Sequence, residues 1–138
     1  MRLGFTGSSK PIPETQDAAL AWEMAGLLGY TEGHHGDCLN ADERFDHWCE
    51  VLGIERHVHP GHNASNESPM RAWCKAEVVL PSRPYLHRNR DIVDNADLLI
   101  ACPSGAEVRR SGVWSTVRYA RSRELPVTII WPTGEVNR

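Results

Sequence analysis

A chain of 138 residues is the size of one ordinary domain and leaves little room for a second hydrophobic core, so a single domain spanning 1–138 is expected. With 41% apolar and 24% charged residues, the composition is that of a folded globular protein and excludes wholesale disorder. The formal net charge of −3 excludes a general attraction to nucleic acid or acidic membrane, and no apolar stretch approaches bilayer-spanning length, so any polyanion site has to be local.

The predicted elements alternate. Arg2 to Thr6 is a short apolar strand that runs into Gly7-Ser8-Ser9-Lys10. After Pro11 and Pro13, the segment Glu14 to Leu28 places Ala18, Trp22, Ala25 and Leu28 at helical spacing, with Pro13 suited to the first turn and Gly29 to the stop. Tyr30 to His34 is the second strand, followed by the loop His35-Gly36-Asp37. Asn40 and Glu43 make a capping box for a helix whose apolar face is Phe45, Trp48, Cys49 and Leu52, and Gly53 ends it. Ile54 to His59 is a third strand, stopped at Pro60-Gly61. Residues 61–83 are the least regular part: 62–68 reads as a mobile loop and 76–80 as a short extended piece. Pro84 to Asn95 is a short helix, Asp97 to Cys102 a strongly apolar strand, and Ser111 to Arg123 a helix with Val113, Val117 and Ala120 on one side. Pro126 to Trp131 is the last strand, and the tail from Pro132 is expected to fray.

Strands alternating with helices of this length predict βαβ units, an α/β fold and a mainly parallel sheet of about five strands. Their strand-to-helix loops then gather at one sheet edge, and these loops hold most of the Gly, Ser, Asp and His. The opening residues reach Gly and Ser too soon for a signal peptide. Cys38, Cys49, Cys74 and Cys102 have no CxxC spacing, so they are expected to be reduced thiols in a cytoplasmic protein, with Cys49 and Cys102 in the core.

Two loops carry the anion-binding pattern. Gly7, Ser8 and Ser9 lead a strand toward a helix, where glycine lets the backbone approach a phosphate, hydroxyl and amide groups bind it, and Lys10 adds charge. Ser104, Gly105, Ser111, Gly112, Trp114, Ser115 and Thr116 form a second such loop and helix start, flanked by Glu107, Arg109 and Arg110. The spacing is neither GxGxxG nor a Walker A motif, and an ordinary tight turn is the competing reading of each loop. The two helix tips are expected to converge on one anion, which requires Ser8 and Ser115 to lie on the same side of the molecule. His35, Gly36 and Asp37 add a third contact region, and Arg88, Asn89 and Arg90 a fourth, since arginine binds phosphate bidentately. The bland alternative for Arg88 to Asp91 is a solvated helix face with an Arg-Asp pair. Asp37, Asp42 and Asp91 are the carboxylates available for catalysis, although Asp42 equally suits a helix N-terminus. His34 and His35, adjacent on a strand, point to opposite faces. His57, His59 and His62 are the best-spaced metal candidates, yet nothing in the spacing demands a zinc cage, and neither a metal nor another cofactor is expected.

In this order, the motifs resemble the superfamily that joins the DNA-processing protein DprA (Smf) to the LOG cytokinin-activating phosphoribohydrolases, known as SLOG. Gly4-Phe5-Thr6-Gly7-Ser8-Ser9 is similar to its first-strand motif, and His35-Gly36-Asp37 through Ala41-Asp42 to its second-strand loop. Arg88-Asn89-Arg90-Asp91-Ile92-Val93 is similar to the DprA Arg-Asn-Arg-Ile-Ile element, and Ser111-Gly112 with Thr116 to that group's Ser-Gly-x-x-x-Thr helix start. The resemblance covers nearly the whole chain. It implies a Rossmann-like three-layer α/β/α fold that binds nucleotides, nucleotide-derived molecules or single-stranded DNA, usually as a homo-oligomer, and it places the chain in the small, stand-alone branch. LOG enzymes carry Gly-Gly-x-Gly-Thr-x-x-Glu with the Glu in the active site; here Thr116 is retained and Tyr119 stands at the Glu position. Three functions are expected in order: a nucleotide-binding module, an N-glycosidase of nucleoside monophosphates, and a single-stranded DNA binder that uses Arg88, Arg90, Arg109, Arg110 and Arg118.

Overall fold

Leu3 and Phe5 are fully buried in strand β1 (Arg2–Gly7), which lies at the centre of the sheet. The computed structural model describes all 138 residues. The further strands are β2 (Glu32–His35), β3 (Glu55–Val58), β4 (Gly61–His62), β5 (Val78–Val79), β6 (Arg83–Pro84), β7 (Leu98–Cys102), β8 (Val127–Ile130) and β9 (Val136–Asn137). Between them run α1 (Glu14–Ala25), α2 (Ala41–Leu52), α3 (Tyr85–Asp94) and α4 (Gly112–Ser122). The main sheet has seven strands in the order β5-β3-β2-β1-β7-β8-β9, all parallel except for the antiparallel β8–β9 pair, and β4 pairs with β6 in a separate two-stranded ladder. α1 and α2 pack together on one face, α3 and α4 on the other, so the domain is a Rossmann-like three-layer α/β fold. The five strands expected from sequence are those of four or more residues; β5 lies inside the 76–80 piece read as extended, and β9 is a two-residue edge in the tail.

Two expectations are corrected. The buried face of α1 is Gln16, Leu20 and Met24, whereas Ala18, Trp22, Ala25 and Leu28 face outward, with Trp22 80% and Leu28 87% exposed. The polar Gln16 sets this rotation: its amide donates to the carbonyls of Pro103 (2.9 Å) and Ile130 (2.8 Å), which fastens α1 to the ends of β7 and β8. The tail is likewise held rather than frayed. Gly134, at φ +91°, turns the chain so that β9 adds to the β8 edge.

The helix ends follow local chemistry. The Glu43 carboxylate accepts from the Asn40 amide at 2.7 Å within the expected capping box, and Gly53 closes α2 at φ +72°. At the start of α4 the Ser111 hydroxyl accepts from the Trp114 amide at 3.3 Å. β1 approaches α2 so closely that a Cβ on Gly7 would collide with Ala41 and the Phe5 ring, while around Gly105 there is open space. Gly7→Ala is therefore expected to cost about 1–3 kcal/mol from overpacking, and Gly105→Ala close to nothing, as read by urea denaturation of the two variants side by side.

Candidate functional site

β1 sends the chain to β2 on one side, and β7 sends it to β8 on the other. Loops leaving adjacent strands in opposite directions open a crevice beyond the strand ends. Here that place is marked by the register pair Gly7–Cys102, and it holds a cleft of about 720 Å3. That size suits a small organic ligand, for which pockets of roughly 300–1,000 Å3 are usual. One wall is the β1–α1 loop, Gly7 to Lys10; the facing wall is the β7–α4 loop with the first turn of α4, from Ser104 to Trp114. The floor is made by Gly36, Cys38 and Asp42 from the β2–α2 connection and by Arg88, Asn89 and Ile92 from α3.

The charge of this cleft opposes that of the whole chain. Its charged lining residues are Lys10, Arg88 and Arg110 against the single carboxylate of Asp42. Arg88 is buried, and its guanidinium donates to the carbonyls of Gly36 and His59 (3.1 Å for the latter) and to the Asn89 side-chain oxygen (2.8 Å). It thus braces α3 against the ends of β2 and β3 while keeping its charge beside the cleft. Gly36 makes this possible, since a Cβ there would strike the guanidinium. Lys10 and Arg110 are exposed and sit on opposite walls. Burial pushes the Asp42 carboxyl above the usual carboxylate range despite the neighbouring His35 and Arg88, and Asp42 accepts from the Cys38 amide at 3.0 Å. Burial, with Asp42 beside it, pushes the Cys38 thiol up to about 11, so it is a neutral lining group rather than a thiolate nucleophile.

No protein-family model matches the sequence, and no curated protein matches it either. A solved structure, the molybdenum cofactor binding protein from the phototrophic bacterium Rippkaea orientalis, superposes with a TM-score of 0.69 at 17% identity, over 94% of this chain and 76% of that one. What the two share is the fold. At that identity, the site has to be read from this chain's own side chains.

Of the residues singled out from sequence, Gly7, Ser8, Ser9, Lys10, Gly36, Asp42, Arg88, Asn89, Ser104, Gly105, Ser111, Gly112 and Trp114 line the cleft. Six lie elsewhere. Ser115 and Thr116 belong to the second turn of α4, and with Arg90 they line a separate groove between α3 and α4 that also includes Tyr119. The two loops face each other across the cleft, but the expected pair of helix tips does not: α1 begins at Glu14, beyond the lining residues, and only the tip of α4 reaches the cleft. Ser115 is also off the wall: its amide is bonded within the helix, to Ser111 O at 2.9 Å, and one helical step past Trp114 turns its side chain away. The Thr116 hydroxyl donates to Gly112 O at 2.7 Å. Asp91 is paired with Arg83 at 3.0 Å near the surface. His35 is buried with Nε2 2.9 Å from Asp46 Oδ1, while its Nδ1 accepts from the Asp37 amide at 3.0 Å. Asp37, at φ +57°, is buried and saturated: one oxygen accepts from Arg71 Nε and the other from the Cys74 amide, both at 2.9 Å. It ties the irregular 61–83 excursion to the end of β2.

Sequence reasoning missed Phe5, Thr6, Cys38, Ile92, Ala106, Val108 and Val113 as lining groups; with the flanking Arg110 they complete the cleft. Only Thr6 carried a signal, as the last residue before Gly7 in a strand that ends at the crevice. The histidine trio divides: His62 Nδ1 turns to Ser82 Oγ at 2.8 Å, while His57 and His59 meet His34 of the neighbouring strand. Burial, then the nearby histidines, push His59 down to about 3, so it is neutral in the folded chain.

Two outcomes follow. Asp37→Ala leaves Arg71 without its buried partner and is expected to cost about 3 kcal/mol in urea denaturation. The Asp42 proton is held more tightly folded than unfolded, so its contribution to stability is complete below the ordinary carboxylate pKa and is lost as pH rises through the raised value. Asp42→Asn keeps an acceptor for Cys38 without the charge. Its stability relative to the parent chain should therefore rise between pH 4.5 and pH 8; a difference that stays flat with pH would contradict the raised value.

Proposed function

We propose that this protein is a binding module for a nucleotide or nucleotide-derived anion, held at the crevice between β1 and β7 with its phosphate between the Gly7–Lys10 loop and the start of α4. The observation that carries the reading is the facing of these two Gly/Ser loops across a cleft whose charged groups are three cations and one carboxylate, in a chain of net charge −3. Backbone amides at the tip of α4 add partial positive charge on the same side. Ser8, Ser9, Ser104 and Gly112 supply hydroxyls and amides, Lys10 and Arg110 supply charge, and Trp114 supplies apolar surface. The resemblance to SLOG proteins supports the same reading, and the structural neighbour's own ligand makes molybdenum cofactor a compound to screen beside nucleotides.

Asp42 favours a second reading, N-glycosidic cleavage of a nucleoside monophosphate. It is a buried carboxyl with a raised pKa inside the cleft, as a general acid that protonates the leaving base requires. Tyr119, at the position of the LOG glutamate, donates instead to Asp94 at 2.8 Å, outside the cleft. Single-stranded DNA binding ranks third: Arg88 is buried in its brace, and Arg118 pairs with Glu107 at 2.8 Å. The homo-oligomer implied by the resemblance has an apolar surface available in the outward Trp22 of α1 and Leu28 of the turn after it, and light scattering of Trp22→Lys against the parent chain reads it. No helix is long and apolar enough to cross a membrane.

The test is a thermal-shift and calorimetric screen of nucleoside mono- and diphosphates, free nucleosides and molybdenum cofactor. A phosphate-bearing compound should raise Tm where its nucleoside does not, and Lys10→Ala and Arg110→Ala, both at exposed positions, should each weaken it about tenfold. Binding that both substitutions leave unchanged would refute the placement. Release of free base that Asp42→Asn abolishes would promote the second reading over the first.

A further inference from the structure

The face of β2 and β3 turned away from α2 carries a cluster that the cleft does not use. Strand alternation sends Gly33 and His35 toward α2, where a Cβ on Gly33 would meet the Cys49 sulfur at 2.6 Å and His35 meets Asp46. Glu32 and His34 therefore project from the opposite face. His57 is the register partner of His34 across the parallel pair, and Glu55 that of Glu32. The two imidazoles stack with ring centroids 4.6 Å apart, and both aim Nε2 at one carboxylate oxygen: Glu32 Oε1 is 3.1 Å from His34 Nε2 and 3.6 Å from His57 Nε2. Glu55 Oε1 lies 2.6 Å from His57 Nε2. Glu32 is 36% and Glu55 52% exposed in their side chains, so the cluster opens to solvent, while His34 is held at 4%.

We propose that Glu32, His34 and His57, with water in the remaining position, form a binding site for one divalent cation of the zinc class, separate from the cleft. The donor chemistry is two imidazole nitrogens and one carboxylate oxygen, the mixture that zinc accepts in four-coordinate sites with water as the fourth ligand. In a tetrahedral site with bonds of about 2.0–2.1 Å, adjacent ligand atoms lie about 3.3 Å apart. The separations of 3.1 and 3.6 Å to Glu32 bracket that value, and all three ligand atoms lie within 4.8 Å of one another. The orienting partner is also in place: His34 Nδ1 lies 2.8 Å from Nε2 of the buried His59. When His34 Nε2 bonds a cation, its remaining proton sits on Nδ1 and is donated to His59, which holds the ring in the ligating tautomer. Bound there, the cation clamps β2 to β3 on the side of the sheet toward its short β5 edge.

A second cluster competes: His35, Asp46 and the Cys74 thiol also bring their ligand atoms within 4.8 Å of one another. It is closed to solvent, with His35 0% and Asp46 11% exposed in their side chains, and Asp46 also pairs with Arg56 at 3.2 Å. The two sites are separable by ligand type, since only the second offers sulfur.

The experiment is zinc titration of the tag-free, metal-stripped full chain by calorimetry, with cobalt substitution followed by visible absorption. Expected are one zinc ion per chain at about micromolar affinity or tighter, a rise in Tm, and a cobalt spectrum without a thiolate charge-transfer band. Glu32→Gln and His57→Gln, both at part-exposed positions, should each weaken zinc by at least about tenfold, and His59→Gln by a smaller factor, while His62→Gln and His87→Gln leave it unchanged. Circular dichroism reports whether each variant is folded; should one fail, the cobalt spectrum of the parent chain still decides between nitrogen/oxygen and sulfur ligation. The proposal is overturned if the parent chain takes no zinc, if folded Glu32→Gln and His57→Gln bind it as the parent does, or if a thiolate band places the metal at Cys74. Phosphate-ligand binding in the cleft is measured separately, so failure of one site leaves the other standing.

Discussion

Strands β1 and β7 run side by side in register from Leu3–Leu98 to Gly7–Cys102, and the chain leaves them toward opposite edges of the sheet. Neither outgoing loop can cover the other's strand end, so a crevice opens there. Everything that lines it is placed by this divergence: the Gly7–Lys10 turn on one side, the long Ser104–Ser111 loop on the other, and the tip of α4 looking in. Gly7 is the pivot, because β1 ends against Ala41 and the Phe5 ring with no space for a side chain. A parallel sheet with a switch point thus creates its own concavity, and the side chains decide only what that concavity accepts.

The second constraint is a buried cation. The Arg88 guanidinium is satisfied by the carbonyls of Gly36 and His59 at the ends of two neighbouring strands, which brings α3 to the cleft and holds it there. Burying such a charge is costly unless it is hydrogen-bonded, and here the donors find backbone oxygens while the buried Asp42 carboxyl lies across the same floor. Structure and electrostatics are therefore one device: the residue that fixes α3 also makes the floor cationic. Asp37 performs the parallel task on the far side of Gly36, where its two oxygens pin the 71–74 segment.

Alternation along β2 divides the molecule into two chemical compartments. His35 enters the layer beneath α2 and is consumed there by Asp46 and the Asp37 amide. His34 emerges on the other face, where Glu32, His57 and His59 surround it. Adjacent residues of the same type thus have unrelated surroundings, and the second compartment shares no lining residue with the cleft.

Much of the scaffold was legible in the amino-acid order, because it is encoded locally. The apolar runs at 2–6 and 97–102, the helix ends at Asn40 and Gly53, and the Gly/Ser pattern at 7–9 and 111–112 each act within a few residues of themselves. The five long strands, the four helices and two cleft walls follow from them. What tertiary structure alone decided are contacts between distant segments. The rotation of α1 was misread because the Gln16 amide, bonding to Pro103 and Ile130 more than 85 positions away, outweighs the stripe of Ala18, Trp22, Ala25 and Leu28. The fate of each polar candidate was decided in the same way. Asp37 became a tie to Arg71, Arg88 a backbone brace, and Ser115 turned off the cleft by one helical step, while Asp42 was left facing it. Local spacing determines which residues a loop presents; only the packed neighbours determine which of their hydrogen-bonding atoms remain free for a ligand.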